Sequence, residues 1–142
     1  METLFHLLYR SEVPSDLSYS DLQEIVERAK DNNPKQGITS LLIQKDDFFL
    51  HLLEGEERRV KFLLSDILLD PQTQALKVLY EGPTLERYFK NEPMLFIDGD
   101  LSVNSSDSLD QLFAICMGPD KIKGQALSSL LEKIRDTILK KI

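Results

Sequence analysis

Apolar and polar positions along this chain fall into blocks of changing period, and the blocks predict its elements. Leu4 to Tyr9 is an apolar and aromatic run closed by Arg10 and Ser11, the pattern of a buried first strand. A polar loop with Pro14, Asp16 and Ser18 follows. Ser20-Asp21-Leu22-Gln23 then reads as a capping box, and Leu22, Ile25, Val26 and Ala29 recur at helical spacing. Asn32 and Asn33 end that helix, because Pro34 disfavours helical geometry in the residue before it. Gly37 to Ile43 and Phe48 to Leu53 are strand-like runs either side of the polar turn Lys45-Asp46-Asp47, a hairpin that Gly55 closes. Val60, Leu63, Leu64, Ile67 and Leu68 make a second helical stripe, stopped by Asp70-Pro71. Leu76 to Tyr80 is a fourth strand that Gly82-Pro83 breaks, and Met94 to Ile97 is a short fifth.

The order βαββαββ, with a hairpin between two helices, predicts an α+β fold: a ferredoxin-like sheet with both helices on one face. After the polar stretch Asn104 to Ser108, Leu109 to Met117 reads as a short helix ended by Gly118-Pro119. Gln125 to Ile142 reads as a long helix with Leu127, Leu130, Leu131, Ile134 and Ile138 on one face. These two helices are expected to cover the sheet's other face. On this reading residues 1–100 carry the ligand-binding chemistry. Residues 101–142 form a C-terminal helical extension of the same compact unit.

Charge and composition narrow the function classes. The formal net charge of -7 and pI of about 4.8 argue against nucleic acid or an anionic membrane as the main partner, since both need a basic surface. No apolar run approaches the roughly 18 residues of a membrane span, and the N-terminus lacks a basic-then-apolar leader, so the cytoplasm is the expected compartment. The single cysteine, Cys116, sits in an apolar stretch and reads as a small buried hydrophobe. No Gly-rich phosphate loop, G-x-S-x-G, H-E-x-x-H or Cys-x-x-Cys occurs, and nothing around His6 and His51 suggests a zinc site, so no enzymatic activity is expected.

Tyr9, the Asn32-Asn33 pair and His51 carry the remaining polar chemistry. Each has a plain explanation alone: a core tyrosine, a helix-ending pair, a hydrogen-bonded histidine. Together they suit a planar polar ligand between the two helices, because asparagine amides match an edge of alternating carbonyl and N–H groups.

Leu8-Tyr9-Arg10-Ser11, Asn32-Asn33-Pro34 with Gly37-Ile38-Thr39, and Phe49-Leu50-His51 with Leu53-Glu54-Gly55 resemble the BLUF family of blue-light sensors using flavin. Asp70 and Met94 also match, and the resemblance spans Thr3 to Asp98. It implies a flavin between the two helices: FAD, with FMN or no flavin as alternatives. Tyr9 would be the light-driven electron and proton donor, and Asn33 would bond the ring edge. Tyr9, Asn32, Asn33, His51, Asp70 and Met94 form the implied binding set. The C-terminal helices resemble those of short members without a fused output enzyme, so a downstream protein partner is expected, and a homo-oligomer is expected as well.

The chain departs from the family pattern at several positions. His51 stands where a bridging glutamine is usual. Asp66, Gln72, Thr73 and Asp31 replace basic residues, and Glu92 replaces a tryptophan. Losing cations near a diphosphate removes attraction worth several kcal/mol per pair at about 4 Å and an effective dielectric of ~20, before screening. Weakened flavin binding and an altered photocycle are therefore expected. The alternative is a flavin-free interaction module.

Overall fold

The computed structural model describes residues 3–140. Its elements run β1 (Leu4–Glu12), α1 (Tyr19–Asn32), β2 (Thr39–Lys45), β3 (Phe48–Glu56), α2 (Glu57–Leu69), β4 (Gln74–Pro83), β5 (Leu95–Asp98), α3 (Asp107–Cys116) and α4 (Gly124–Lys140). The strands form one sheet in the order β4-β1-β3-β2-β5. All neighbours are antiparallel except β2 and β5, which are parallel. Strand β3 lies between β1 and β2, and β1 lies between β3 and β4, so each βαβ unit is split by a strand of the other. This is the predicted ferredoxin-like arrangement.

Alternation along the strands sends successive side chains to opposite faces. Phe5, Leu7, Tyr9 and Leu53 meet Val60 of α2, while Leu42 and Met94 meet Leu22 and Val26 of α1. On the other face Leu8, Leu41, Ile43, Leu50 and Leu52 pack with residues of α3 and α4. The α4 stripe behaves as its spacing predicts: Leu127, Leu130, Leu131 and Ile134 are buried there, and Ile138 packs against them.

Several boundaries differ from the sequence reading, each for a local reason. The capping box is two residues earlier. Ser18 Oγ accepts from Asp21 N at 3.0 Å, and the Asp21 carboxylate accepts from Ser18 N at 3.1 Å. Asn33 keeps helical dihedrals although Pro34 follows. Its N–H donates to Ala29 O, and its carbonyl accepts from both Gln36 and Ile38. Pro83 does not break β4; it ends that strand opposite Phe5, a place open to proline because β4 is a sheet edge. The β2–β3 hairpin turns on Asp46 and Asp47, both at positive φ, as a two-residue loop matched to the strand twist requires. The expected end of α4 at Ile142 lies outside the described residues.

Glu54 has a role its position in the sequence did not suggest. In the sequence Glu54 stands only as part of a motif; the structure buries it completely, on the α3/α4 face. Its carboxyl oxygens accept from Tyr88 N, Phe89 N (3.0 Å) and Thr39 Oγ1 (3.0 Å), and lie 2.7 Å from His6 Nε2. The irregular segment between β4 and β5 is thereby fastened across the sheet, with Phe89 fully buried. Arg87 reinforces it by donating to Glu54 O, Thr39 Oγ1 and Gly37 O. Two glycines permit it, one by its left-handed backbone and the other by its bare Cα. Gly37 has φ +67°, and a Cβ on Gly55 would sit 3.0 Å from Gly37 O. Most of the Gly-Ile-Thr and Leu-Glu-Gly motifs is therefore a clamp.

Leu131→Ala tests how much α4 contributes. Removing this buried side chain should destabilise the protein by ~2–5 kcal/mol in urea unfolding. A loss well under 1 kcal/mol would mean that α4 does not pack as described.

Candidate functional site

The face shared by α1 and α2 holds a cleft of about 330 Å³. Its volume lies at the small end of the range for ligand sites. Buried Tyr9, Leu42, His51 and Met94 form the floor. Ile25, Ala29 and Asn32 line it from α1, Leu63 and Ile67 from α2, and Asp70 from the turn after α2. All six residues expected to bind the ligand line this one cleft: Tyr9, Asn32, Asn33, His51, Asp70 and Met94. A second cavity of about 260 Å³, between β5 and α4, contains none of them.

Tyr9 and His51 sit opposite each other in the β1–β3 register. Tyr9 Oη lies 2.8 Å from His51 Nδ1, with the rings edge-to-face. Burial raises the Tyr9 pKa well above its ordinary value, and the Asp70 charge pushes the same way. Tyr9 is therefore a protonated donor at any ordinary pH. Burial pushes the His51 imidazole down to about 4. A neutral ring accepting at Nδ1 carries its proton on Nε2. Among the described residues, no group hydrogen-bonds that buried Nε2. An unsatisfied buried donor costs ~1–3 kcal/mol, so an orphan here asks for an explanation.

Asn33 is buried at 4 % exposure. Its Nδ2 donates to Pro93 O at 2.7 Å and Ser40 Oγ at 3.3 Å, which commits both amide hydrogens to the protein. Of the donors and acceptors expected of this residue, only Oδ1 is left for the cleft. Ser40 Oγ donates to Pro93 O, beside the sulfur of Met94. Asn32 is exposed at the end of α1. Asp70 is exposed at the rim, where its Oδ1 accepts from Gln72 N at 2.9 Å.

Among the positions read as lost cations, Asp66, Gln72 and Thr73 do line the cleft. Asp31 does not, and neither does Glu92, which stands in the place of the tryptophan. Two charged lining residues, Glu12 and Arg28, were missed. Arg28 was legible in principle: with Ile25, Ala29 and Asn32 it completes one face of α1 at helical spacing. The floor thus offers a donor at His51 and an acceptor at Asn33 between apolar walls, a set that fits the polar edge of a flat heterocycle.

Residues 4–95 match the BLUF family, described as sensors of blue-light using FAD. The chain belongs to the BLUF family. The blue light- and temperature-regulated antirepressor BluF of Escherichia coli (strain K12) is 29 % identical over 106 residues. That match covers 74 % of this chain and 26 % of the relative, so the chain spans about a quarter of the relative's length. Among solved structures, the dark-state BLUF protein BlrB superposes with a TM-score of 0.79 at 23 % identity, covering 96 % of this chain and 98 % of BlrB. A bacterial light-regulated adenylyl cyclase superposes with a TM-score of 0.66 at 26 % identity, covering 97 % of this chain and 36 % of the cyclase. Among the described residues of this BLUF chain, no helix is long and apolar enough to cross a membrane.

The depressed His51 pKa has a definite sign in stability. The unfolded residue titrates near 6.5 and the folded one near 4. Between those values the unfolded chain binds the extra proton, so folding loses stability as pH falls from about 6.5 to 4. Above 6.5 both states are neutral and His51 contributes nothing. The loss amounts to ~3 kcal/mol. Urea unfolding at pH 7 and pH 4.5 should show the parent losing more stability than His51→Gln. Equal losses in the two proteins would contradict the buried, neutral assignment.

Proposed function

We propose that this BLUF chain binds a flavin in the cleft between α1 and α2 and acts as a sensory domain that signals through a protein partner, with altered photochemistry and no enzymatic activity of its own. The orphaned His51 Nε2 carries the reading. A buried N–H beside an apolar-walled cleft suits a ligand acceptor, and flavin rings present such acceptors along one edge. Asn33 would accept at Oδ1 from a ring N–H, Asn32 would bond the same edge from the rim, and Met94 would pack beneath it. Flavin, when bound, supplies blue-light absorption and an electron-accepting ring. A protein partner is supported by the matches to the antirepressor and the cyclase, each of which extends far beyond the region shared with this chain.

Tyr9 and His51 together limit what the site can do. The phenol donates to Nδ1, so Nε2 is fixed as a donor. A glutamine amide has a carbonyl and an NH₂ and can present either by rotating. An imidazole has one donor and one acceptor fixed on a rigid ring. His51 therefore cannot exchange donor for acceptor while Tyr9 keeps its proton. The rotation open to the glutamine usual at this position has no equivalent here.

The second reading, a flavin-free interaction module, is favoured by the carboxylates of Asp66 and Asp70 on the cleft rim. Titration of the purified protein with flavins separates the two. Binding is expected, and Asn33→Ala should weaken it by ~1–3 kcal/mol through loss of the Oδ1 acceptor. Unchanged affinity in Asn33→Ala would remove Asn33 from the binding set, and a folded parent that binds no flavin would favour the second reading. Difference spectra before and after blue light test the His51 argument. The loaded parent should lack a persistent red shift, and His51→Gln should move towards one. A slowly decaying red shift in the parent would overturn it.

A further inference from the structure

The charges on the cleft divide sharply between floor and rim. The floor is polar but neutral: Tyr9 is held protonated and His51 unprotonated. The rim, among the described residues, carries three exposed carboxylates, Glu12, Asp66 and Asp70, against one exposed guanidinium, Arg28. The carbonyl ends of both helices lie here as well. Asn32 and Asn33 close α1, and Asp70 closes α2. A helix C-terminus carries a partial negative charge and disfavours a nearby anion. The last turn of α2 has no basic residue to offset it. The one basic residue in the last turn of α1, Lys30, faces Glu27 at 3.6 Å.

From this distribution we infer that the cleft selects a flavin without phosphate, riboflavin rather than FMN or FAD. The inference rests on the flavin-binding reading. The ring is common to all three ligands and would meet the same neutral floor. The side chain differs. A cleft of about 330 Å³ leaves the tail of a dinucleotide at the rim, where its diphosphate meets the carboxylates. The phosphate of FMN, carrying about -1.5 to -2 charges like other phosphomonoesters, meets the same field closer in. The uncharged ribityl chain of riboflavin meets no repulsion, and its hydroxyls can donate to Asp66 and Asp70. Arg28 alone cannot reverse the balance, because three carboxylates and one guanidinium leave two net negative charges.

The experiment is a parallel titration of the full chain, freed of any co-purified flavin, with riboflavin, FMN and FAD at low and high salt. Flavin fluorescence quenching reads the binding, and circular dichroism confirms that the protein stays folded. Riboflavin should bind more tightly than FAD at low salt, on the order of tenfold, and the gap should narrow at high salt as the rim charges are screened. Asp66→Arg should shift the FAD-to-riboflavin affinity ratio towards FAD, also on the order of tenfold. FAD binding as tightly as riboflavin in the parent at low salt would overturn the inference while leaving flavin binding intact. A riboflavin preference insensitive to both salt and Asp66→Arg would overturn its electrostatic basis. Failure of a folded protein to bind any of the three would overturn the flavin reading, and this inference with it.

Discussion

The register between β1 and β3 is the constraint on which both halves of this molecule depend. It sets Tyr9 opposite His51 and His6 opposite Glu54. The two pairs are three residues apart along the strand, so they project to opposite faces of the sheet. One pair floors the cleft under α1 and α2. The other anchors the segment between β4 and β5 under α3 and α4. A slip of one residue would send every side chain of the shifted strand to the wrong face. A slipped β3 would send the imidazole towards the α3/α4 core, away from Tyr9, and the Glu54 carboxyl would lose the backbone N–H groups of Tyr88 and Phe89. Two buried polar pairs on adjacent central strands thus specify a register that apolar residues alone would leave less sharply defined.

The two faces use buried polar groups differently. Around Glu54 donors and acceptors are matched within the protein, with Thr39, Tyr88 N, Phe89 N and His6 closing on one carboxyl group. Such a satisfied network rigidifies its surroundings. Around His51 one donor is left over. The same physical rule, that buried polar groups find partners, explains the first site as structure and is the ground for proposing a ligand at the second. The clamp also serves the cleft. It fixes the chain leading to Pro93 and Met94, and Pro93 O holds the Asn33 amide.

Much of this was readable from the sequence. Long stripes such as Leu127 to Ile138 and alternating runs such as Leu4 to Tyr9 report burial on one face, and the element order followed from them. Tyr9 and His51 share the cleft because a strand period of two and an antiparallel register put them on one face, whereas Asp70 and Met94 entered the set through the family resemblance. What the sequence hid was local ambiguity and long-range pairing. Ser18 and Ser20 both offer a capping hydroxyl near Asp21, and only the geometry chooses Ser18. Pro83 looks like a breaker until β4 is known to be an edge. Glu54 acquires its role from backbone donors more than thirty residues away, at Tyr88 and Phe89. The committed amide hydrogens of Asn33 were hidden for the same reason.

The central claim is that Tyr9 holds His51 as a neutral imidazole with its proton on Nε2, presented to the cleft for a ligand. Nitrogen-15 NMR of the labelled imidazole reads this directly. An unprotonated Nδ1 and a protonated Nε2 should persist from neutral pH to about pH 5, with the Nε2 signals moving when flavin is added. A proton on Nδ1, titration near pH 6.5, or an Nε2 signal indifferent to saturating flavin would contradict it.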